Sequence, residues 1–482
     1  MKKNLLYLIF CTGLLASSCN LLDIEPTTSW TGTNIPTEES HLNGMLYAGY
    51  ERLQTALSIN FMVYGEMRSD VFYNNAFNTN IDKVVNNRLD NGMSLASWRT
   101  FYEAIKQANV VLKYTPELLE DNIITQESAN NIMGQAYGVR AYAYFYIVRI
   151  WGDAPLVLAP FLSNNDLEEL TRTPSNEVLQ QIHLDLEETV RLIPSSITSR
   201  TAFTQAAAYA LDAHVYAWEH NYPKVIERTS RVISNTNYSL ATLYDPSFNA
   251  SDSDFKGKVQ ASEFAAIFNV GKSKESIFEL SFSIDDGDNN QFLSSYLSGS
   301  FPIVRPNQFY AESFDDADWR AVVAHERASN GLYKVTKFTI GFSSDVDSRN
   351  IVLLRLGDMY LLQAEAFAHL EDSDDMRQRA MELVNSIRNR AGGPDFEIPE
   401  SIYLDRENYT QESFRNLILE ERKFELTYEG YRWFDLVRWD KAIEVLRENV
   451  GIEIHPLSLV WPIHIEEIRR GGETIEQNEY YK

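Results

Sequence analysis

Alanine recurs at helical spacing in segments that also carry large aromatic side chains, and this pattern limits the folds open to the chain. In residues 203–220, Ala206, Ala210, Ala213 and Ala217 fall on one helical face beside Tyr209. Small side chains let two helices approach closely, while aromatic neighbours fill the space beside them. A turn at 222–223 then returns the chain through residues 224–233. Such a pair is typical of helical hairpins that stack on one another.

Other segments repeat this helical pattern. Helices are predicted over residues 134–151 and 174–192, and a second alanine-bearing pair over residues 356–391. The first helix should end at Gly152, because the following Gly-Asp-Ala-Pro sequence stops helices. The repeats share too little identity to predict a regular solenoid. We therefore predict a mainly α fold of tetratricopeptide-like helix pairs.

The stretch at about 235–341 differs from the helical remainder. It is rich in Ser, Asp, Asn and Gly, and residues 276–282 alternate like a half-buried strand. Residues 285–290 should form a loop. A loop-rich insertion on a rigid helical scaffold is where binding sites usually lie. We therefore expect a few short strands and a ligand-binding region here.

The N-terminus carries an export signal. A basic start and a short apolar run precede small residues and Cys19. The run is too short to span a bilayer, which takes about 20 apolar residues. It resembles a bacterial lipoprotein signal, so we expect residues 1–18 to be removed and Cys19 to carry acyl chains as a membrane anchor. The alternative is an ordinary signal peptide with a chance Cys. No linker divides residues 19–482, so we expect one large domain or two interlocked lobes.

Charge and cysteine content exclude several classes of function. The chain has 43 basic and 68 acidic residues, a net charge of −25. Such a surface repels phosphate backbones, so no nucleic-acid partner is expected. Of the two cysteines, only Cys19 would remain after processing, and its sulfur would carry lipid. The mature chain is therefore expected to contain no disulfide and no thiolate metal site.

A dense motif in the last third resembles the signature of a known family. Its matching positions are Arg422, Glu425, Leu426, Glu429, Gly430, Arg432, Asp435, Leu436, Arg438 and Trp439. Further matches, in the family's order, are residues 134–140, 152–156, 355–366, 384–392, 461–463 and 477–478. These resemble the SusD/RagB outer-membrane nutrient-binding lipoproteins over nearly all of the mature chain.

The resemblance implies a non-enzymatic surface lipoprotein. It would bind a nutrient, usually an oligosaccharide, and deliver it to a SusC-like TonB-dependent transporter. The implied fold is an α-α superhelix of four tetratricopeptide-like pairs behind a loop-rich ligand face. A peptide ligand of the same family is the first alternative. A surface glycan hydrolase and a helical-repeat adaptor that binds only protein are the others.

Sugar binding favours aromatic rings for the apolar face of the sugar, flanked by amides that bind hydroxyl groups. Two regions, 70–78 and 289–296, have this mixture. The candidate ligand-binding residues are Tyr73, Asn75, Asn78, Phe292, Tyr296 and Trp319. Trp319 also stands in an Asp-x-Arg stretch whose usual role in the family is structural. Tyr142, Tyr144, Tyr146 and Trp98 lie at helical spacing and are assigned to the core.

Catalysis and metal binding have weaker support. A glycosidase needs two carboxylates facing one bond, but each motif acid has an arginine at helical or turn distance. The predicted pairs are Arg422–Glu425, Arg432–Glu429 and Arg438–Asp435, which favour a structural role. Asp286, Asp288 and Asn290 alternate like an incomplete calcium loop, with Leu297 where an EF-hand places Glu. No cofactor or metal is therefore expected, and adventitious calcium is left open.

Overall fold

The protein is mostly α-helical, as the sequence predicts. The computed structural model describes residues 35–76, 78–160, 170–282, 290, 296–297, 302–341, 349–471 and 474–482. Its helices are α1 Glu39–Leu57, α2 Asn60–Gly65, α3 Thr79–Val85, α4 Arg99–Glu120, α5 Gln126–Trp151, α6 Ser175–Leu192, α7 Gln205–Trp218, α8 Tyr222–Ile233, α9 Phe255–Gln260, α10 Glu263–Asn269, α11 Gln308–Ala311, α12 Arg320–Ala324, α13 Leu356–Leu370, α14 Asp374–Gly392, α15 Glu400–Tyr403, α16 Gln411–Glu425, α17 Arg432–Arg438, α18 Ala442–Val445 and α19 Ile465–Gly471.

Six short strands accompany the helices in the described part of the chain. They are β1 Phe72–Asn74, β2 Ser276–Leu280, β3 Val304–Pro306, β4 His325–Arg327, β5 Tyr333–Val335 and β6 Ile351–Arg355. They form three separate antiparallel ribbons, which pair β1 with β3, β2 with β6 and β4 with β5. Each ribbon joins segments that the helical scaffold holds in place.

The helices pack as neighbouring pairs along the chain. Contacts join α4 to α5, α5 to α6, α7 to α8 and α13 to α14, and α13 also packs against α8. The alanine face of α7 is buried, with Ala210 and Ala213 fully inaccessible. Helix α5 approaches the start of α7 so closely that a Cβ on Gly138 would lie 2.4 Å from the Phe203 ring. The predicted role of small residues in helix packing is therefore confirmed.

Helix α5 begins earlier than predicted. The side chain of Thr125 accepts a hydrogen bond from the Ser128 N–H and caps the helix there. At the other end, Gly152 adopts a positive φ of 76°, a conformation that glycine tolerates best, and the helix stops as predicted.

Strand β2 forms where predicted, but the expectation that it is half-buried is wrong. All five of its residues are buried. Phe278 packs against Phe203, with ring centroids 4.7 Å apart. On the polar side, the carboxylate of Glu279 accepts hydrogen bonds from the backbone N–H of Lys272 and from the side chain of Asn350. The carboxylate of Glu279 is therefore satisfied inside the protein rather than by water.

A charged cluster joins three successive helices. His183 of α6 lies between Asp212 of α7 and Glu219, the residue that follows α7, with N···O distances of 2.5 and 2.9 Å. Arg228 of α8 donates to the other oxygen of Asp212 at 2.5 Å. Burial opposes the charged imidazole, but its hydrogen bonds to Asp212 and Glu219 prevail and raise the pKa of His183 to about 9.

Replacing His183 should therefore destabilise the protein in a pH-dependent way. The folded pKa lies above the unfolded value of about 6.5, so the stabilisation is fully present below pH 6.5 and disappears as the pH rises through 9. We expect His183→Gln to lower the free energy of unfolding by about 1–2 kcal/mol at pH 6.5, after allowance for partial exposure, and by less at pH 9.5. Urea unfolding at both pH values measures this. His41→Gln, at an exposed histidine, is the control; an equal deficit for His183→Gln at both pH values would contradict the assignment.

Candidate ligand-binding site

Tyr73 lies on the ribbon formed by β1 and β3. Its neighbour Phe72 is buried against Tyr428, with ring centroids 5.3 Å apart. Because successive strand residues point to opposite faces, Tyr73 points away from that core and stays partly exposed. Arg305 stands opposite Tyr73 in the ribbon register. The partly exposed ring of Tyr73 therefore lies beside the strand that carries Arg305.

Asn75 and Asn78 extend the same segment. The Asn75 side chain donates to the carbonyl of Pro302 at 2.8 Å, and the Asn78 side chain accepts from Ile81 N–H at 3.0 Å as the cap of α3. Each bond uses only one of the two polar groups of the side-chain amide, the NH₂ group in Asn75 and the oxygen in Asn78. Among the described residues, Asn75 Oδ1 and Asn78 Nδ2 have no hydrogen-bond partner, so they are free to bind hydroxyl groups of a ligand.

The second predicted region is only partly described. Tyr296 is half-buried against the core, and burial raises the pKa of its hydroxyl. The side chain of Asn290 donates to the Arg349 carbonyl at 3.0 Å. Phe292, Asp286 and Asp288 lie outside the described residues. Ligand contact by Phe292 and calcium binding by this loop therefore stay predictions.

Trp319 belongs to a different environment. It is only 8% exposed, and its ring packs against Tyr244, Phe248 and Phe255 at centroid distances of 4.8, 6.1 and 5.0 Å. The structure brings Tyr73, Asn75 and Asn78 together in one segment and places Trp319 in this separate aromatic cluster. Its burial favours the structural role; ligand contact by Trp319 stays a prediction.

Sequence reasoning did not single out Arg305. Its guanidinium donates to the Tyr333 carbonyl at 3.0 Å, and its buried Nε has no hydrogen-bond partner among the described residues. The residue opposes Tyr73 only because β1 and β3 pair across more than 200 positions of sequence. No spacing pattern in the sequence predicts that Arg305 lies opposite Tyr73, since the register of a three-residue ribbon cannot be read from the local sequence.

The motif acids form a buried ion-pair network rather than an open site. Arg355, at the junction of β6 and α13, donates to Glu425 at 2.6 Å and to both carboxylate oxygens of Glu429 at 2.6 and 2.8 Å. Glu425 also accepts from Arg390 and, at 3.0 Å, from Arg320. Burial alone would raise the pKa of Glu425, but the three guanidinium groups lower it well below its usual range.

A second cluster lies beside the first. Arg422 donates to Asp435 at 2.9 Å and to Asp358 at 2.9 Å, and its side chain is completely buried. Arg438 donates to the same Asp435 at 2.8 Å and also pairs with Glu365. Each of these side chains is therefore held by partners on other segments.

Two of the three predicted ion pairs are wrong in their partners. Arg438 does pair with Asp435. Arg422, however, pairs with Asp435 and Asp358 rather than with Glu425, and Arg432 pairs with Asp70 at 3.0 Å rather than with Glu429. The physical reason is that long guanidinium side chains reach acids on neighbouring packed segments, where burial makes pairing mandatory. Each of these charges is nevertheless buried and paired, which favours the predicted structural role.

Gly430 is required by backbone geometry. Its φ is 78°, and an added Cβ would lie 2.6 Å from the Phe61 carbonyl oxygen. The buried carboxylate of Glu66 accepts from the N–H groups of Tyr428 and Gly430 at 3.0 and 2.9 Å. The turn between α16 and α17 is thereby fixed to the end of α2.

Neutralising Glu425 should unfold the protein much more readily than neutralising an exposed acid of the same helix. Glu425→Gln leaves three buried arginines with one carboxylate fewer, which costs about 3–5 kcal/mol. Glu412→Gln removes an acid whose side chain is 74% exposed and should cost under about 1 kcal/mol. Urea denaturation of both variants compares them. Equal stability of the two would show that the network is dispensable.

The described residues show no arrangement typical of metal catalysis. No three His, Cys, Asp or Glu side chains among them are grouped so that they could hold a metal ion. A search of the described helices also finds none that is both long and apolar enough to cross a membrane. The geometry supports a surface that offers an aromatic ring and amide groups for non-covalent binding.

Comparisons with known proteins place this geometry in context. Residues 316–454 match a family model described as the SusD family, and residues 20–217 match one described as starch-binding, associating with outer membrane. The chain is 26% identical to the SusD-like protein P38 of Formosa agariphila, with 100% of both chains covered. A solved SusD superfamily protein from Bacteroides thetaiotaomicron is 23% identical with a TM-score of 0.74, covering 94% of this chain and 100% of that one. A laminarin-binding SusD-like protein is 20% identical with a TM-score of 0.72, covering 92% and 100%.

Proposed function

Because the chain belongs to the SusD/RagB family, we propose that it is a glycan-binding lipoprotein of the bacterial outer membrane. The observation that carries the proposal is the pair of family matches, one of which is described as starch-binding and associating with outer membrane. A laminarin-binding protein with the same fold supports a glycan as the ligand class.

Binding would use the segment around β1. The partly exposed ring of Tyr73 would contact the apolar face of a sugar, and Tyr296 would offer a second ring. The free amide atoms of Asn75 and Asn78 would exchange hydrogen bonds with hydroxyl groups, which can both donate and accept. Phe292 would add a further ring, whereas a buried Trp319 would support the fold.

The bound glycan would pass to a SusC-like TonB-dependent transporter, and acyl chains on Cys19 would hold the protein beside it. No chemical step is needed for this role, because affinity alone concentrates the nutrient. The pairing of the motif acids with buried cations supports binding without hydrolysis. No cofactor is required, and calcium in the loop at 286–290 would be adventitious. Peptide uptake, a hydrolase and a protein-only adaptor are the alternatives that the binding experiment separates.

Removing either partly buried ring of the proposed site should weaken glycan binding. We expect Tyr73→Ala or Tyr296→Ala to raise the Kd for a bound oligosaccharide about 5- to 30-fold, because each removes about 1–2 kcal/mol of contact. Calorimetry with laminarin and starch oligosaccharides measures the change. Tyr47→Ala, at a tyrosine that is 67% exposed on α1, is the matched control and should leave Kd unchanged.

The same samples distinguish the alternatives. New reducing ends during incubation would show hydrolysis and overturn the binding-only role. Binding of peptides without any saccharide would favour peptide uptake, and binding of neither together with co-purification of a transporter would favour the adaptor. Loss of affinity in Tyr47→Ala but not in Tyr73→Ala or Tyr296→Ala would move the site away from the proposed face.

Removing the lipidation site should separate binding from uptake. Cys19→Ala should yield a folded protein that is released from the membrane, because the acyl chains supply the attachment. Its glycan affinity should equal that of the parent, while nutrient uptake by cells fails. Fractionation, calorimetry and growth on the glycan measure the three effects. Undiminished growth with the released protein would show that the tether is not needed.

A further inference from the structure

A second concave site lies on the helical scaffold, away from β1. It is a cleft of about 340 Å³ between the loop that follows α6, the first turns of α7, and the end of α8 with the turn after it. This volume falls within the range of about 300–1,000 Å³ that is usual for small-molecule sites. It would hold about 11 water molecules at roughly 30 Å³ each, and so about as many non-hydrogen atoms as one sugar unit.

Two tyrosines form the aromatic part of this cleft. Tyr238 is only 6% exposed, and the guanidinium of Arg200 lies 4.1 Å from the centre of its ring. The hydroxyl of Tyr238 has no hydrogen-bond partner among the described residues. Tyr209, on the first turns of α7, is half-buried and its hydroxyl is likewise unpartnered within the described part of the chain. Both hydroxyls are open to the cleft, where water or a ligand can supply the hydrogen-bond partner that a tyrosine hydroxyl normally has.

Hydrogen-bonding groups surround the two rings. Asn235 uses its side-chain oxygen to accept from the Asn237 N–H at 3.0 Å, which leaves its amide NH₂ free. The side chain of Asn237 and the side-chain oxygen of Gln205 also have no partner among the described residues, although the Gln205 amide donates to the Val190 carbonyl at 2.8 Å. Donors and acceptors in such variety suit a ligand that carries several hydroxyl groups.

The charge of the cleft is opposite to that of the whole chain. The chain has 68 acidic and 43 basic residues, yet no Asp or Glu lines the cleft, and Arg231 does. Arg231 is exposed and forms no ion pair with any residue that the structure describes. Glu227, one turn earlier on α8, is instead paired with Lys224 at 2.8 Å and with Arg228 at 2.5 Å. An unpaired guanidinium favours a carboxylate, which it can bind through two parallel hydrogen bonds.

We propose that this cleft binds a single acidic sugar unit, a hexuronate, with its carboxylate on Arg231 and its ring between Tyr209 and Tyr238. The amides of Asn235 and Asn237 contact the hydroxyl groups. The inference rests on the proposed function only in taking a saccharide as the ligand, and it assigns a site separate from the one at Tyr73.

The test compares acidic and neutral sugars on the full folded protein. Binding of D-glucuronate and D-galacturonate is measured by NMR titration beside D-glucose and D-galactose. At least one uronate should bind at least tenfold more tightly than its neutral parent sugar. Arg231→Gln should weaken that binding at least tenfold, and Tyr209→Ala should weaken it by a comparable factor. Sodium acetate at the same concentration shows how much binding a carboxylate gives without a sugar ring.

The matched control is Arg447→Gln, which removes the same charge from an exposed arginine near the C-terminal end of the sequence. It should leave uronate binding unchanged. Four results would each overturn the proposal. They are equal effects of the two arginine variants, equal affinity for uronates and neutral sugars, competition by acetate at the uronate concentration, and no uronate binding at millimolar levels. Neutral oligosaccharide binding that depends on Tyr73 would still support the proposed function, so the two failures are distinguishable.

Discussion

The buried ion pairs around Arg355 and Glu425 constrain the rest of the structure. Taking a charge out of water costs several kcal/mol unless partners with good geometry replace the water. Arg355 ends β6, Glu425 ends α16, Arg390 lies on α14 and Glu275 precedes β2, and these four side chains form ion pairs with one another. The charges can be satisfied only when all four segments are in place. The relative positions of the helical pairs and of the β2–β6 ribbon are therefore fixed together.

This constraint separates scaffold from binding surface. The signature acids and arginines are occupied with one another, so they are unavailable to a ligand. Tyr73 lies instead on a three-residue strand whose backbone is fixed by β3, and Asn75 directly follows that strand, while their side chains carry few internal contacts. Changing such side chains costs the scaffold little. A family can in this way keep one fold and vary its ligand, because the energy that holds the fold lies elsewhere.

The sequence predicts local features of this fold better than distant ones. Alanine spacing predicts the α7–α8 pair, because helix formation and close packing depend on neighbours in sequence. The predicted helix over 224–233 forms, and it also takes in residues 222–223, where the sequence predicts a turn. The partners of Arg422 and Arg432 could not be predicted in the same way. Asp358 and Asp70 lie far away in sequence and reach these arginines only after the helices have packed. The full burial of strand β2 could not be predicted for the same reason, since Glu279 is satisfied by Asn350 across the β2–β6 ribbon. The sequence predicts the candidate binding face only as a segment, because Arg305 lies opposite Tyr73 through strand pairing.

The distribution of charge follows from the same interior network. Arg68, Arg320, Arg355, Arg377 and Arg422 are among the largest fully buried side chains, so much of the chain's scarce positive charge is held inside. The chain as a whole carries a net charge of −25, which disfavours the approach of an anionic ligand. On our proposal, a concave site that no carboxylate lines and that carries the exposed guanidinium of Arg231 is a place where an acidic sugar would meet less repulsion.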